Sequence, residues 1–442
     1  MRRVALRSLL ARRARLALTA LSVALGVTLI SGTYVFTDTI NASFDSIFAE
    51  SYRKTDAVVT PRMPPGQTEE DQNPTVPEEV LERVRGVEGI ETAEGGIFSM
   101  GAVYRTAEGE ELGSGFAPRF IASRIDDSRF SVLSVDEGRL PDADDEVALL
   151  SATLKDEGLE VGDSLEVQAR TPLKDYEIVG SLRFGGVDSF GGAVVAMFTV
   201  AEAQRLAGKE GAFDEIDAAA AEGVAPEELK RRLRAVLSED FVVRTGSEQA
   251  ASQSQDIRDN LQFLRTALLV FAGISLFVGA FIIFNTFSIT VVQRTREFAL
   301  LRTLGATRRQ VLGTVLGEGL VLGSLGAAAG LGLGILLAEG LRALFDSLGL
   351  TLPNEGSVVA TRTIVVSLLV GILVTLASSV VPAVRATRVP PIAALREGAV
   401  LPRGRGARFV APLAVLLVVL AGALLGTGLF AGLESGPALS LT

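Results

Sequence analysis

Three residue types are missing from this chain of 442 residues: it has no cysteine, no histidine and no tryptophan. Without cysteine and histidine, the usual zinc sites, haem ligation by histidine, thiol chemistry and serine–histidine–aspartate catalysis are excluded. A disulfide framework is excluded as well, so cysteine usage does not reveal the redox compartment. The lack of tryptophan departs from the aromatic belt that many membrane proteins carry.

A phosphate-binding loop is also missing. The only Gly-Lys pair, Gly208-Lys209, is followed by glutamate and lacks the upstream glycine and the following Ser or Thr. No nucleophile–base pair or metal-ligand constellation is visible, and no cofactor site is predicted. The acidic run 140–146 lacks EF-hand spacing and is typical of a solvated loop. The chain is therefore not expected to be an enzyme.

Long apolar runs dominate what is present, with 48% hydrophobic residues and a mean hydropathy of +0.38. About 20 apolar residues suffice to cross a bilayer. Five segments reach that length without Lys or Arg: Leu16–Phe36, Ala267–Val292, Val315–Leu341, Thr363–Val384 and Phe409–Phe430. They predict a multi-pass membrane protein. The first segment is too long for a signal-peptide core and lacks a clear cleavage site, so we expect it to be retained.

Arginine placement predicts the orientation of these segments. The N-terminus, 1–15, the segment 293–310 and the segment 385–408 are rich in arginine and are expected to be cytoplasmic. Residues 37–263 and the short loop 342–362 are then external. The large region holds 22 basic and 45 acidic residues, so the acidic charge is almost all outside. The basic pieces lie at membrane edges and indicate lipid contact, with no nucleic-acid partner.

The region 37–263 shows a mixed α/β pattern. Strands are predicted at the sequences DAVVT, EVALL, SLEVQA, YEIVGSL and AVVAMF. Helices are predicted at PEEVLERVRGV, TVAEAQRLAG and APEELKRRLRAVL, two of them ended by glycine. At its two ends, apolar residues at helical spacing indicate that the first two membrane segments continue as helices. We therefore expect an external α/β domain on a helical stalk.

The stretch REFALLRTLGATRRQVL, from Arg296 to Leu312, lies between the second and third membrane segments. Phe298, Leu301 and Leu304 recur every three residues, which predicts an amphipathic helix. Gly305 stands where a helix end favours a left-handed residue, and Thr307-x-x-Gln310 is a capping-box pattern. The sequence predicts a short helix, a sharp break and a new helix. Such a helix can rest on lipid or on a protein partner, and a plain interfacial turn is the alternative.

The residues of this region resemble a known family. The stretch VVQRTREFALLRTLGATRRQVLGTVLGEGLVLGSLGAAAGLGLG is similar to the signature region of the FtsX-like/MacB-like permeases of ATP-binding-cassette (ABC) systems. VVPAVRATRVPPIAALRE, after the fourth membrane segment, is similar too, and so is GRLPDADDEVALLSATLKDEGLEVGDSLEV in the external region. The resemblance covers about residues 1–400. It implies a helical membrane bundle with an external domain of the MacB-like periplasmic core type, in the cytoplasmic membrane of a bacterium.

The resemblance also implies a mechanism. In that family the segment between the second and third spans is a coupling helix that sits in a groove of a cytoplasmic ABC ATPase. The implied ATPase-coupling interface consists of Arg296, Glu297, Phe298, Leu301, Arg302 and Gly305. ATP hydrolysis in that separate chain would move the external domain, for export, for lipid or lipoprotein extrusion, or for mechanotransmission. A membrane scaffold that regulates an envelope partner, such as a cell-wall hydrolase, is the alternative.

Two features of the third membrane segment leave alternatives open. Five of its glycines, in the two runs Gly319-xxx-Gly323 and Gly326-xxx-Gly330-xxx-Gly334, form either an internal packing face or a dimer seam. Glu318, an ionisable group near the membrane, is read as a structural, a coupling or a proton-relay residue.

One module of this family has four spans, whereas this chain has a fifth apolar segment. The chain resembles the first half of a larger two-module permease, and we expect a fragment, with a complete five-span permease as the alternative. The expected partners are the ATPase, membrane lipid, and either a second permease copy or a missing second half-module. The sequence does not identify a cargo.

Overall fold

A computed structural model describes residues 13–62, 74–113, 117–125, 129–131, 133–184, 192–347, 356–388 and 438–440. The chain divides into two units, each described separately below. The membrane unit comprises Met1–Thr39, Leu261–Leu341 and Gly356–Thr442. The α/β unit comprises Ile40–Asn260 and Arg342–Glu355.

The described residues form nine helices and sixteen strands. The helices are α1 (Arg13–Ser51), α2 (Glu78–Arg85), α3 (Ser151–Glu157), α4 (Val200–Ala207), α5 (Pro226–Val236), α6 (Gly246–Gln293), α7 (Thr295–Thr303), α8 (Arg308–Ser347) and α9 (Thr361–Arg388). The strands are β1 (Ala57–Pro61), β2 (Val76–Pro77), β3 (Ile90–Gly96), β4 (Phe98–Met100), β5 (Val103–Thr106), β6 (Arg119–Ser123), β7 (Leu133–Gly138), β8 (Glu146–Leu150), β9 (Ser164–Gln168), β10 (Lys174–Phe184), β11 (Val194–Phe198), β12 (Ala212–Phe213), β13 (Glu215–Ala220), β14 (Phe241–Arg244), β15 (Val358–Ala360) and β16 (Ala438–Ser440).

Four of the described helices, α1, α6, α8 and α9, are long and apolar enough to cross a membrane. They contain the first four apolar segments predicted from the sequence. Helices α1 and α6 also run well beyond those segments, with 39 and 48 residues, which confirms that the first two spans continue as helices. The fifth predicted segment, 409–430, and most of the arginine-rich segments 1–15 and 385–408 lie outside the described residues.

The membrane unit is held together by close packing of these helices. Ile30 and Tyr34 of α1 pack with Leu269 and Leu276 of α6 and with Val370 of α9. Gly26 of α1 faces Leu276, where an added Cβ would come within 2.9 Å of the leucine side chain. Beyond this apolar cluster, Asp38 of α1 forms an ion pair with Arg362 and accepts a hydrogen bond from Thr363. Small residues therefore bring α1 and α6 close together, and one charged pair ties α1 to α9.

The α/β unit contains two main sheets. The smaller sheet is antiparallel, with the order β14-β1-β13-β3. The larger sheet has the order β4-β6-β11-β8-β10-β9-β5, with β7 paired to β10, and is mixed because β6/β11 and β8/β10 are parallel pairs. Helices α2 and α5 cover the smaller sheet through Val80, Val84, Leu229 and Leu233. The expected mixed α/β domain is confirmed.

All five predicted strands and all three predicted helices of this unit are present. Helix α4 ends at Gly208, which is left-handed at φ 66°, whereas α2 ends at Gly86 with an ordinary φ of −79°. Several strands were missed, notably β7 and β13. Strand β7, LSVDEG, lacks an apolar pattern because five of its six residues are exposed. Strand β13, EIDAAA, was missed because it carries acidic residues inside a sheet.

The ends of α1 and α6 that belong to the α/β unit pack on each other. Arg258 of α6 donates to both carboxylate oxygens of Asp45 of α1, at 2.7 and 2.6 Å. Helix α6 begins with a reciprocal cap, in which the Glu248 amide donates to Thr245 Oγ1 and the Thr245 amide donates to Glu248 Oε2. Its first residue, Gly246, lies against the backbone that follows α1.

A hydrogen-bond network joins these helix ends to the smaller sheet. The Tyr52 hydroxyl, one residue beyond α1, donates to the carboxylate of Glu215 on β13 at 3.1 Å. Gln253 of α6 donates in turn to that hydroxyl at 2.7 Å. Burial raises the pKa of Glu215 to about 7, with a further contribution from Asp214, and burial also raises the pKa of Asp217. The network therefore keeps a titratable carboxyl group at the point where both long helices meet the sheet.

Substituting Gly246 tests this close approach. An alanine Cβ would lie 2.2 Å from the Thr55 carbonyl oxygen and 2.7 Å from that of Tyr52. We expect Gly246→Ala to destabilise the chain by about 1–3 kcal/mol through overpacking. Gly273→Ala, in the same helix but with no neighbour within 4 Å, should be neutral or slightly stabilising. Melting of the full chain in detergent, followed by circular dichroism, compares them, and equal midpoints would refute the close approach.

The Glu215 network predicts that the stability of the α/β unit depends on pH. Since the pKa of this carboxyl group is higher in the folded than in the unfolded state, the folded chain binds more protons between about pH 4.5 and 7. The free energy of unfolding of the α/β unit should therefore fall as the pH rises through that window. Hydrogen exchange of the β13 amides in the full chain, measured at several pH values, follows this change. Glu215→Gln should flatten the dependence, and an unchanged slope in this variant would assign it to other groups.

Candidate functional site

Helix α7 lies between two sharp breaks that the local sequence explains. At its C-terminal end, Gly305 adopts φ 97°, the Ala306 amide donates to the Leu301 carbonyl, and the Gly305 amide donates to the Arg302 carbonyl. This pair of bonds is a Schellman motif, which needs a left-handed residue and favours glycine. Helix α8 then starts with the predicted capping box, because the Thr307 amide donates to Gln310 and the Gln310 amide donates to Thr307. The predicted helix, break and restart are confirmed.

One face of α7 is buried in the membrane unit. Phe298 and Ala299 are each only 2% exposed, and Leu301 packs against the same core. Around Phe298 this core draws on three helices, with Val291 of α6, Val311 and Val315 of α8, and Ala383 and Ala386 of α9. The short helix is therefore part of the packed bundle.

An ion pair holds the junction between α6 and α7. Arg294 Nη1 lies 2.6 Å from Glu318 Oε1 of α8, and both side chains are nearly buried, at 12% and 11% exposure. Arg294 Nε donates to Glu297 Oε2 at 3.0 Å, and the guanidinium carbon lies 4.9 Å from the centre of the Phe298 ring. One guanidinium thus contacts three side chains on two helices. Glu318 is a bridging residue of this junction, which supports its structural role.

A second polar contact joins α7 to α9. Arg302 Nη1 donates to the Thr387 carbonyl oxygen, close to the C-terminal end of α9, at 3.2 Å. Carbonyl groups at a helix C-terminus lack intrahelical partners, and a cation there is favoured by the helix dipole. Arg302 therefore contributes to attachment of α7 near its C-terminal end, whereas Arg294 does so at its N-terminal end. The two arginines and the Phe298 core fix the helix against α6, α8 and α9.

The opposite face of α7 is exposed. Leu300 is 53% exposed and Leu304 is 84% exposed, one helical turn apart. Arg296, Glu297 and Gly305 are exposed beside them. This defines an outer face, formed by Arg296, Glu297, Leu300, Leu304 and Gly305.

The resemblance assigned Phe298 and Leu301 to the ATPase-coupling interface, which requires exposed side chains, and Phe298 does not meet this requirement. Phe298 is buried, Leu301 is only partly exposed, and Arg302 is occupied by a backbone carbonyl. The apolar residues that lie outward are Leu300 and Leu304. Helical spacing identified an apolar stripe, but the broad apolar face of this helix allowed two orientations.

Five of the nine glycines of α8 meet other helices of the same chain. Gly319 and Gly323 face Ser379 and Thr375 of α9. The other three face α1: Gly326 lies against Val23, Gly330 against Val27 and the Ala24 carbonyl, and Gly334 against Ser31. An added Cβ would come within 3.0 Å of a neighbour at each of the five positions. Of the two readings left open by the sequence, this geometry supports internal packing over a dimer seam.

In the part of the chain that the structure describes, no group of three or more Asp or Glu side chains is arranged to hold a metal ion. In the acidic loop 140–146, Glu146 forms an ion pair with Arg139 and accepts from the amides of Asp142 and Ala143. These interactions, with the Arg139 hydrogen bond the largest, lower the pKa of Glu146 to about 2. Glu146 is therefore held by Arg139 and by two backbone amides of its own loop.

Two known families match different parts of the chain. Residues 16–236 match the MacB-like periplasmic core domain, and residues 269–391 match the FtsX-like permease C-terminal region. The chain belongs to the FtsX-like/MacB-like permease family. The second match contains α7, its Schellman motif and both arginine anchors. The permease is accordingly a membrane protein with an external domain.

Individual relatives are ABC transporter permeases. An uncharacterized ABC transporter permease of Methanocaldococcus jannaschii is 28% identical over 327 residues, which cover 72% of this chain and 78% of the relative. The macrolide export ATP-binding/permease protein MacB of Nitrobacter winogradskyi is 34% identical over 200 residues, or 44% of this chain and 29% of the relative. This permease therefore spans less than a third of the MacB protein. Membership of the ABC permeases implies a cytoplasmic ATPase partner.

Among solved structures, the periplasmic region of MacB from Actinobacillus actinomycetemcomitans is similar to this chain, with 11% identity and a TM-score of 0.34. The similarity covers 48% of this chain and 97% of that one.

The Arg294–Glu318 pair generates a direct prediction for stability. Glu318→Gln leaves a nearly buried arginine with only Glu297, which is 56% exposed, so we expect destabilisation by about 2–4 kcal/mol. Glu297→Gln removes the exposed partner and should cost at most about 1 kcal/mol. Melting midpoints of the full chain in detergent measure both. If the two variants melt together, the buried pair does not stabilise the junction.

Proposed function

We propose that the permease couples ATP hydrolysis in a separate cytoplasmic ATPase to motion of its external domain, and that the outer face of α7 is the contact. The observation that carries the proposal is that this short helix has one buried and one exposed face. One face is fixed to three membrane helices, while the other presents two exposed leucines flanked by charges. An apolar centre with a polar rim is the usual composition of a protein interface.

The proposed orientation places α7 in the cytoplasm, together with the arginine-rich segments 1–15 and 385–408. The arginines of 293–310 support it through the excess of basic residues in cytoplasmic loops. The 37–263 region, with its excess of acidic residues, is then outside.

Force would reach the bundle through the anchors of α7. Displacement of a helix fixed by Arg294, Phe298 and Arg302 would be shared with α6, α8 and α9, since packed elements move as units more readily than they deform. Helix α6 is continuous from the residue before Arg294 back to Gly246 in the α/β unit. A continuous helix of 48 residues is a suitable element to transmit such a displacement. In this proposal, ATP is hydrolysed in the separate ATPase and not in the permease.

The contact predicts a specific loss of binding. Leu300→Asp/Leu304→Asp places two carboxylates at the centre of the outer face, and we expect a loss of about tenfold or more in co-purifying ATPase from detergent-solubilised membranes. The matched control is Leu173→Asp/Val236→Asp, which changes two similarly exposed residues of the α/β unit and should leave ATPase recovery unchanged.

Two outcomes would contradict the proposal. One is full ATPase recovery with the Leu300/Leu304 variant, and the other is equal loss with the control. Phe298→Asp is a poor probe of the interface, because it buries a charge in the core and should reduce the amount of folded protein in the membrane.

A further inference from the structure

One face of the smaller sheet is covered by the ends of the long helices α1 and α6. Val58 of β1 packs there with residues of both helix ends: Phe48, Tyr52 and Ala250. Asp217 of β13 is the cross-strand partner of Val58, so its side chain projects from the same face. Asp217 is only 5% exposed. These five residues define the helix–sheet joint, which therefore contains a buried carboxyl group.

Asp217 lacks the partners that a buried carboxylate requires. Its Oδ1 atom is buried and has no hydrogen-bond partner among the described residues. An ionised carboxylate is costly in such a place, because burial removes its hydration and no hydrogen bond replaces it at this oxygen. Burial therefore raises the pKa of Asp217 well above its ordinary value, and the charges of Glu215 and Glu94 raise it further.

The charged groups next to Asp217 within the sheet are acidic. Glu94 of β3 is its cross-strand partner on the side away from Val58. Glu215 lies two residues earlier on β13 and therefore on the same face of the sheet. Asp214, just before β13, forms an ion pair with Lys209, so that this cation is already engaged. Asp217 is thus surrounded by carboxyl groups on two sides.

The basic residues on the other side are distant, engaged or exposed. Arg244 of β14 lies in the same cross-strand row as Asp217, with β1 between them. Two strand spacings, or about 10 Å, therefore separate their backbones. The Arg244 guanidinium donates to Gln249 of α6 at 3.0 Å. Arg53 and Lys54, just beyond α1, are exposed.

The helix ends bring neutral polar groups and acidic groups to the joint. Tyr52 donates to Glu215, and Gln253 of α6 donates to Tyr52. Asp256, further along α6, is a further acid, and Arg258 is held in the ion pair with α1. In the described part of the chain, the charge of an ionised Asp217 is therefore not compensated by an ion pair.

We propose that Asp217 is a proton-binding group that controls the helix–sheet joint: its neutral form keeps the ends of α1 and α6 on the sheet, and its ionised form releases them. An ionised carboxylate regains hydration only when the helix ends move away, so that loss of the proton and opening of the joint are coupled. The two helices continue into the membrane unit, and the pH at the external domain would thus set how firmly that domain is attached to them.

The direction of the pH effect follows from the raised pKa. The closed joint binds a proton that the open joint releases, so closure is favoured at low pH and is lost as the pH rises through the raised pKa of Asp217. Between the pKa values of the open and closed states, release of one proton changes the open-to-closed ratio about tenfold per pH unit. The proposal does not depend on the ATPase contact at α7, because it concerns the other end of α6.

Spin labels measure the opening, since the chain has no cysteine and two can be introduced at chosen positions. Asn260→Cys on α6 and Val236→Cys on α5 are both exposed, and α5 covers the opposite face of the sheet. In the full chain in lipid nanodiscs, double electron–electron resonance gives the distance between the labels. We expect a longer distance to appear as the pH rises from about 5 to about 9. An unchanged distance distribution would overturn the proposal.

The role of Asp217 is tested in this labelled chain. Asp217→Asn imitates the neutral acid, and the open-to-closed ratio should lose about one factor of ten per pH unit. Asp217→Ser removes the same charge with a smaller side chain and provides the test if the asparagine variant does not fold. The matched control is Asp240→Asn, which changes an exposed acid just before β14 and should open like the natural chain. Asp217 variants that fold and still open like the natural chain would refute the role of this residue.

Discussion

The arrangement of the membrane unit depends on the pairing of Arg294 with Glu318. A guanidinium and a carboxylate, both nearly buried at the end of the bundle, stabilise the structure only when each has a partner of good geometry. That requirement fixes the end of α6 against α8, and it brings Phe298 under the arginine. The orientation of α7 follows, because burial of Phe298 turns Leu300 and Leu304 outward. A partner that bound those leucines would therefore act on a helix that is already attached.

Packing elsewhere in the membrane unit positions α8 so that Glu318 lies within reach of Arg294. Five glycines of α8, from Gly319 to Gly334, allow α1 and α9 to approach within van der Waals contact, so this part of α8 is held between them. In the α/β unit, one glycine and one tyrosine play a corresponding part, since Gly246 permits close backbone approach and Tyr52 links the helix ends to β13. Small residues and single polar pairs therefore help set the helix positions, beside the apolar clusters of larger side chains.

Local features of the fold could be predicted from the sequence, and features set by distant neighbours could not. The break at Gly305 and the capping box at Thr307 depend on residues within one helical turn, and the structure has both. The buried face of α7 depends on α6, α8 and α9, so spacing alone could not choose between Phe298 and Leu300. In the sequence, Arg294 contributes only to the positive charge of segment 293–310. Its position directly after an apolar span was the available signal for a structural role. Strand β13 was missed because its acids are polar residues inside a sheet.

The central claim is that α7 transmits force because Arg294 and Glu318 fix it to the bundle. The most direct test reconstitutes the permease with its co-purifying ATPase in liposomes and measures, for Glu318→Gln and the natural chain, both the ATPase bound and the nucleotide-dependent change in protease sensitivity of the external domain. The account predicts that the variant keeps its ATPase, since the outer face is intact, but loses most of the nucleotide-dependent change. A variant that binds the ATPase and responds to nucleotide like the natural chain would contradict it.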